Sequence, residues 1–296
     1  MTSSVQLNRH IVVRFAPSPN GLLHLGHAYA AMKAHDYASQ RNGIFLLRIE
    51  DIDSGRCRPE FVEAILADLR WLGLQWDGKA IFQSDRLDSY AEAVGRLKAM
   101  NLLYPCFCTR SNMRQAQDAG SLAEGLAGPV YAGTCRDLDT DLAIARARQE
   151  PHSWRLNVAK AVSLTGPLSW LDEGRGEQTG HPEQLGDVVI VPKDMPVAYH
   201  LAVTVDDARD GITHVVRGSD LFSSTHVHRL LQALLKLPTP TYVHHRLLVD
   251  ESGAKLSKSR DSASLSVLRE AGGDGNKLLQ ELRQAIFPVG ISLSAV

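Results

Sequence analysis

The stretch that most limits what this chain can fold into runs from Ile11 to His27. An apolar run, Ile11-Val12-Val13, leads into Arg14-Phe15-Ala16-Pro17-Ser18-Pro19-Asn20-Gly21-Leu22-Leu23-His24-Leu25-Gly26-His27, and a helix-like segment follows over residues 28–40. A strand that enters a helix through a Pro/Gly-punctuated turn sets backbone N–H groups at the helix start around one anion-binding spot. His24 and His27 are three residues apart, so both imidazoles fall on one side of that start. The arrangement suits a nucleotide triphosphate.

Downstream, the pattern alternates. Residues 9–15 read as a strand and 28–40 as a helix ending near Asn42-Gly43, a good C-terminal cap. Residues 44–49 are nearly all apolar, as in a parallel strand covered on both faces. Phe61, Ile65, Leu69 and Leu72 recur at helical spacing over residues 59–72, with Pro59 suited to the first turn, and Leu87, Tyr90, Val94 and Leu97 do so over 85–100. Such alternation implies an α/β fold with a doubly wound parallel sheet. Between about residues 103 and 192 Gly, Pro and short apolar pieces predominate, which reads as an insertion, with an exposed loop over 116–132. Strands over 200–205 and 212–216, a helix over 225–235 and a strand over 242–249 resume the pattern. The expected organisation is a first half of the sheet domain over 1–102, an insertion subdomain over 103–192, a second half over 193–260 and short C-terminal helices over 261–296.

Lys255-Leu256-Ser257-Lys258-Ser259 follows the turn-like Asp250-Glu251-Ser252-Gly253. Two lysines among small hydroxyl residues on a loop can clamp a triphosphate and stabilise leaving pyrophosphate. Alone, the segment reads as a solvated basic loop, and the histidines as a metal-binding pair or helix caps. Together, more than 200 residues apart in an alternating chain, they point to an adenylation site in which His24 and His27 donate to phosphate oxygens as charge develops. Gly26 lets the backbone approach the nucleotide closely. Arg14 suits a substrate carboxylate, because a guanidinium binds it through two bonds, and Glu50, at the end of the second strand, suits an ammonium; taken alone, each reads first as a surface charge or a member of an ion pair.

Cys106-Phe107-Cys108 and Cys135 bring three thiols within thirty residues, with Tyr131 four residues before the last. Their uneven spacing does not suggest a disulfide framework, and with no secretory leader or apolar run long enough to span a bilayer the expectation is a cytoplasmic protein with reduced thiols. Clustered thiols then suit zinc, against the plainer reading of buried free thiols, and a phenolate or water would complete the four ligands. Cys57 stands apart and has no assigned role. The chain of 296 residues, 44% hydrophobic and 22% charged with a net charge of −1, has ample material for a core and no overall basic coat.

These motifs resemble the HIGH and KMSKS elements of the class I aminoacyl-tRNA synthetases, with Leu25 and Leu256 as departures. Arg48-Ile49-Glu50-Asp51-Ile52-Asp53 and Trp71-Leu72-Gly73-Leu74-Gln75-Trp76-Asp77 resemble the glutamyl branch, so the likeness covers nearly the whole chain. The resemblance implies a Rossmann-like catalytic core that adenylates an amino acid with ATP and Mg²⁺, using His24, His27, Lys255 and Lys258 in catalysis and His24, Gly26, His27 and Lys258 for ATP. It implies an L-glutamate pocket formed by Arg14, Phe15, Ala16, Pro17, Ser18, Glu50, Tyr199 and Arg217. Ser18 matches the glutamate-specific pattern where glutaminyl relatives typically carry Glu, while Asn20 departs toward the glutaminyl type. It also implies one structural Zn²⁺ on Cys106, Cys108, Tyr131 and Cys135.

A glutamyl synthetase of the full type continues with a helical anticodon-reading domain, whereas this sequence ends at Val296. The short form resembles the glutamyl-Q tRNA(Asp) synthetases, which attach glutamate to the queuosine base in the anticodon loop of tRNA(Asp). The resemblance therefore implies queuosine-bearing tRNA(Asp), L-glutamate and ATP as partners, no membrane, and a monomer. Charging of a tRNA 3′ end or of a non-RNA amine, and a non-catalytic tRNA-binding paralogue, stand as the alternatives.

Overall fold

The opening run forms the strand Val12–Phe15 (β1), which pairs in parallel with Ile44–Ile49 (β2) from Val12–Ile44 to Phe15–Leu47, across the helix Leu25–Ser39 (α1). The computed structural model describes residues 10–120, 122–126, 128–256 and 264–295. After Pro59–Trp71 (α2), which starts on Pro59 and buries Ile65 and Leu69, the strand Ile81–Phe82 (β3) adds in parallel to β2. Leu87–Ala99 (α3) then leads out to Leu103–Cys106 (β4). The second half brings His214–Gly218 parallel to Thr241–His245 across the helix Ser224–Leu234. Thr213 ties the halves together: its N–H donates to Val12 O at 3.0 Å, and its Oγ1 accepts from Val12 N–H at 2.9 Å. The halves meet at β1, so the carboxyl ends of Val12–Phe15 and His214–Gly218 open onto one crevice, where sheets of this kind hold ligands.

The region after β4 is antiparallel. Ser153–Leu156 pairs with β4 on one side and with Val189–Val191 on the other. The hairpin of Ser169–Asp172 and Gly176–Thr179 lies instead against the second half, where Asp172 pairs with Tyr242. One hydrophobic core joins α1, β1, β2 and α2 to the C-terminal helices Leu265–Glu270 and Gly275–Arg283; a second lies under α3 and Ser224–Leu234.

Two local expectations are corrected. Residues 200–205 are not a strand but part of the helix Tyr199–Arg209. The run Leu201-Ala202-Val203-Thr204-Val205 mimics a buried strand because it is apolar and β-branched. It forms a helix buried from Leu201 to Thr204, with Thr204 Oγ1 bonding the carbonyl of His200 at 2.7 Å. Residues 116–132 are not all loop either: the helix Arg110–Asp118, capped by Thr109, reaches into them, and Glu124–Gly125 pairs with Gly128–Pro129.

Candidate active site

The helix α1 begins three residues earlier than its periodicity suggests, which gives both histidines a second task. His24 is the N-cap, and its Nδ1 accepts the N–H of Gly26 at 3.1 Å. His27 Nδ1 accepts the N–H of His24 at 3.1 Å, and the two rings lie 3.8 Å apart. A nitrogen that accepts carries no proton, so each neutral imidazole keeps its N–H on Nε2. Capping and phosphate recognition are therefore compatible: Nδ1 closes the helix end while Nε2 carries the proton beside the positive end of the helix dipole. Gly26 is needed for packing as well as access, because a Cβ there would come to 3.0 Å from His24 Cε1.

A cleft of about 460 Å³, within the usual range for small-molecule sites, opens at this helix start. His24, Gly26 and His27 line it together with Arg14, Phe15, Ala16, Pro17, Ser18, Glu50, Tyr199, Arg217 and Lys255. Gly218 and Asp220 form part of the same wall. A Cβ on Gly218 would meet Asp220 Oδ1 and Leu247 Cδ2 at 2.6 Å.

Glu50 follows β2, its N–H held by Pro17 O at 3.0 Å. Its Oε1 is shut off from solvent and has no hydrogen-bond partner among the described residues. Burial pushes its pKa up to about 7, against the pull of Arg48 and Arg14. A carboxylate in that state has a strong preference for an incoming cation.

Arg14 is 4% exposed and already paired: Nε and Nη2 donate to the two oxygens of Asp207 at 2.9 and 3.1 Å. One edge of the fork is thus fixed, and Nη1 lies outside that pair. Burial drives the Asp207 carboxyl upward, but Arg14 and Arg48 hold it below the usual range. Beneath it Arg48 reaches Asp207 as well, and Arg86 bridges Asp206 at 2.9 Å and Asp210 at 2.6 Å. Gln83 and Tyr90 close the Asp206 side at 2.7 and 2.8 Å. Three arginines and three aspartates therefore form a buried lattice under the cleft floor, which sequence reading missed. A helical reading of 199–209 would have exposed it, since Tyr199, Asp206, Asp207 and Asp210 then share a face.

Tyr199 is half-buried, and burial raises its pKa, so the phenol stays protonated. Arg217, 6% exposed, is held by His244 Nε2 at 3.1 Å, His228 Nδ1 at 3.2 Å, Leu221 O at 3.0 Å and Thr225 Oγ1 at 2.7 Å. His245 is a further wall residue not anticipated: its Nδ1 bonds Arg246 O at 2.8 Å, while its buried Nε2 has no partner among the described residues.

Lys255 forms an ion pair with Asp220 at the cleft edge. Lys258, the second lysine of the motif, lies outside the described residues. The segments on either side of residues 257–263 are tied to the site. Leu256 N–H bonds Leu248 O at 3.2 Å, Leu265 N–H bonds Leu23 O at 2.8 Å, and Ser264 bridges to His24.

The cysteines converge elsewhere. The sulfurs of Cys106, Cys108 and Cys135 all lie within 4.8 Å of one another, Cys108 and Cys135 at 3.6 Å. Tyr131 Oη is 3.4 Å from Cys106 Sγ and 3.5 Å from Cys108 Sγ, and it accepts Cys135 N–H at 2.9 Å. A tetrahedron with bonds of about 2.3 Å to sulfur and 2.0 Å to oxygen has edges of about 3.8 and 3.5 Å. The donor set therefore fits one tetrahedral cation. Arg155 donates to Cys106 Sγ at 3.3 Å; burial raises that thiol's pKa, yet bonds from Tyr131 and Arg155 bring it below its ordinary value. Cys57 lies apart, with Sγ 3.8 Å from the carbonyl of Glu50.

Among the described residues no helix is long and apolar enough to cross a membrane. The family model for tRNA synthetases class I (E and Q), catalytic domain, matches residues 10–294. The chain is 43% identical over 274 residues to a glutamyl-Q tRNA(Asp) synthetase of Rhodobacter capsulatus, covering 88% of this chain and 96% of that protein. It is 41% identical to one of Symbiobacterium thermophilum, over 88% of this chain and 81% of the relative. Among solved structures, it is similar to a glutamate tRNA ligase from Elizabethkingia meningosepticum in complex with its amino acid. The TM-score is 0.76 at 26% identity, covering 93% of this chain and 60% of that one. The chain belongs to the class I tRNA synthetases of the E and Q type, within the glutamyl-Q tRNA(Asp) synthetase family.

Proposed function

We propose that this cleft activates L-glutamate with ATP as glutamyl-adenylate and transfers the glutamyl group to the queuosine base in the anticodon loop of tRNA(Asp). The observation that carries the activation step is that Glu50, whose Oε1 has no hydrogen-bond partner among the described residues, lines the same cleft as Arg14, Arg217 and the histidine pair. Glu50 takes the α-ammonium, and the guanidinium groups take carboxylate. An α-carboxylate oxygen of glutamate then attacks the α-phosphorus of ATP, and the bond to the bridging oxygen breaks to release pyrophosphate. His24 and His27 donate from Nε2 to phosphoryl oxygens as charge grows; Lys255 and Lys258 receive the pyrophosphate. Mg²⁺ bound with ATP shields the phosphate charge. In the second step an acceptor hydroxyl oxygen attacks the acyl carbon, the bond from that carbon to the phosphate oxygen breaks, and AMP leaves with the hydroxyl proton on its phosphate.

The acceptor rests on the names of the relatives that match over most of their own length. Charging of a 3′ end is the second reading, favoured by the likeness to a glutamate tRNA ligase structure. The four-donor cluster of Cys106, Cys108, Tyr131 and Cys135 would hold one zinc ion in a structural role, since four protein ligands leave no position for a reacting water. We further read the protein as a cytoplasmic monomer that keeps these thiols reduced. We divide it into catalytic halves over 1–102 and 193–260, an insertion over 103–192 and a terminal segment over 261–296. Labelled glutamate offered with queuosine-bearing tRNA(Asp) lacking its 3′-terminal adenosine tests the acceptor. Attachment is expected, and transfer that occurs only to RNA with an intact 3′ end would overturn the queuosine reading.

A further inference from the structure

Arg217 does not stand alone in its wall of the cleft. Every nitrogen of its guanidinium donates to a protein acceptor, and both of the imidazole acceptors are themselves held from behind: His228 Nε2 lies 3.1 Å from His200 Nδ1, and His244 is backed by a carboxylate. His244 receives the Nε–H of Arg217 on Nε2, while its Nδ1 lies 2.6 Å from Asp172 Oδ2. The side chains of His244 and Asp172 have no exposed surface. Asp172 spends its other oxygen on the N–H of Gly174 at 3.0 Å.

The chemistry of this chain permits one proton arrangement. Arginine has five donors and no acceptor, so His244 Nε2 must be unprotonated to receive it. A carboxylate accepts only, so Nδ1 must carry the proton. A doubly protonated His244 would set an N–H against the N–H of Arg217, and burial and Arg217 both hold the ring neutral, with its pKa near about 4. The sheet itself supplies the alignment: Arg217 is the parallel register partner of His244, and Asp172 is that of Tyr242, two residues before it.

We propose that Asp172 is a positioning residue for the amino-acid pocket: it fixes the tautomer of His244, which in turn sets the angle at which Arg217 presents its guanidinium to the substrate carboxylate. The inference rests on the reading of the cleft as the glutamate site. It also assigns a task in the site to the hairpin over residues 169–179, which buries Trp170 against Tyr242. Asp172 touches no substrate and acts through two other side chains.

The test uses the full chain with Asp172→Asn, His244→Gln and His244→Leu, measuring KM for glutamate and for ATP by pyrophosphate exchange. In Asp172→Asn the amide can turn its NH₂ toward Nδ1, which allows the wrong tautomer and sets N–H against N–H. The KM for glutamate is expected to rise about tenfold or more, with the KM for ATP within about twofold. His244→Leu removes the acceptor and is expected to behave likewise. His244→Gln returns a carbonyl oxygen near the Nε2 position and is expected to recover most of that loss. A purely structural role would make Gln and Leu alike and move both KM values together, and either result overturns the proposal. Nitrogen-15 histidine NMR of the unaltered protein gives an activity-free readout: a proton on His244 Nε2 rather than Nδ1 would overturn it even if the variants fail to fold. Absence of glutamate-dependent exchange in the unaltered protein, with the Nδ1–H tautomer present, would instead defeat the pocket reading and leave the relay intact.

Discussion

Replacing Glu50 with Gln should make the protein more stable and less able to bind its amino acid, and the size of the stability change should depend on pH. Burial lifts the Glu50 pKa from 4.5 to about 7. Below pH 4.5 the carboxyl is protonated in both the folded and unfolded chain, so it has no effect on the balance. Between 4.5 and 7 the unfolded chain ionises Glu50 while the fold keeps it protonated, and stability falls as pH rises. Above 7 the penalty is constant, at about 3 kcal/mol for a shift of this size, reduced to the degree that cleft water reaches Oε2. Gln carries no charge at any pH and escapes the penalty. Urea unfolding of both proteins should therefore give nearly equal free energies at pH 4.5 and a growing advantage for Glu50→Gln that levels off near pH 8. In exchange assays the same variant should lose glutamate affinity at pH 8, because the α-ammonium loses its counter-charge. In the unaltered protein kcat/KM for glutamate should climb as pH rises through about 7, as Glu50 ionises. A stability difference that is flat with pH, or an unchanged KM for glutamate, would refute the assignment of Glu50 as a strained carboxylate kept for an ammonium.

His27→Asn keeps an acceptor near the Nδ1 position that caps His24 N–H but removes the Nε2 donor, so stability should hold within about 0.5 kcal/mol while the exchange kcat falls about 100-fold; equal losses in both would make the ring a cap only. Native mass spectrometry should find one zinc per chain, and Tyr131→Phe should retain it less well under a chelator than the unaltered protein. Acid should destabilise the fold through His200, His228 and His244, which burial and Arg217 keep neutral. Their folded pKa values lie below the unfolded 6.5, so the contribution is complete above pH 6.5. It is lost as pH falls, at about 2 kcal/mol each for His200 and His244 by pH 5, which urea titrations at pH 7 and 5 would measure.

Much of the fold was legible because periodicity and packing agree. The strand Ile44–Ile49 buries Phe45, Leu47 and Ile49, and the helix Pro59–Trp71 buries Ile65 and Leu69, as their spacing says they should. The helix Tyr199–Arg209 was not legible, since its apolar, β-branched run over residues 201–205 reads as a buried strand and masks the polar face formed by Tyr199 and the later aspartates. Within the site, Arg14, Glu50 and the histidines could be named from their place at the ends of β1 and β2. Their partners could not: Asp207 is 193 residues from Arg14, and Asp172 is 72 from His244. The first exists only once the helix Tyr199–Arg209 packs beneath the strand Val12–Phe15, and the second only once the sheet brings distant strands side by side. The second role of His24 and His27 was hidden for a smaller reason, a helix start three residues earlier than the pattern suggests.

Glutamate-dependent exchange of pyrophosphate into ATP, measured on the purified chain without RNA, tests the adenylation site most directly. Exchange with glutamate, with glutamine and aspartate far behind, is the expected result, and it should be abolished together with the donors in His24→Ala/His27→Ala. No exchange with any of the three amino acids, by folded protein supplied with zinc, would contradict the assignment of this cleft.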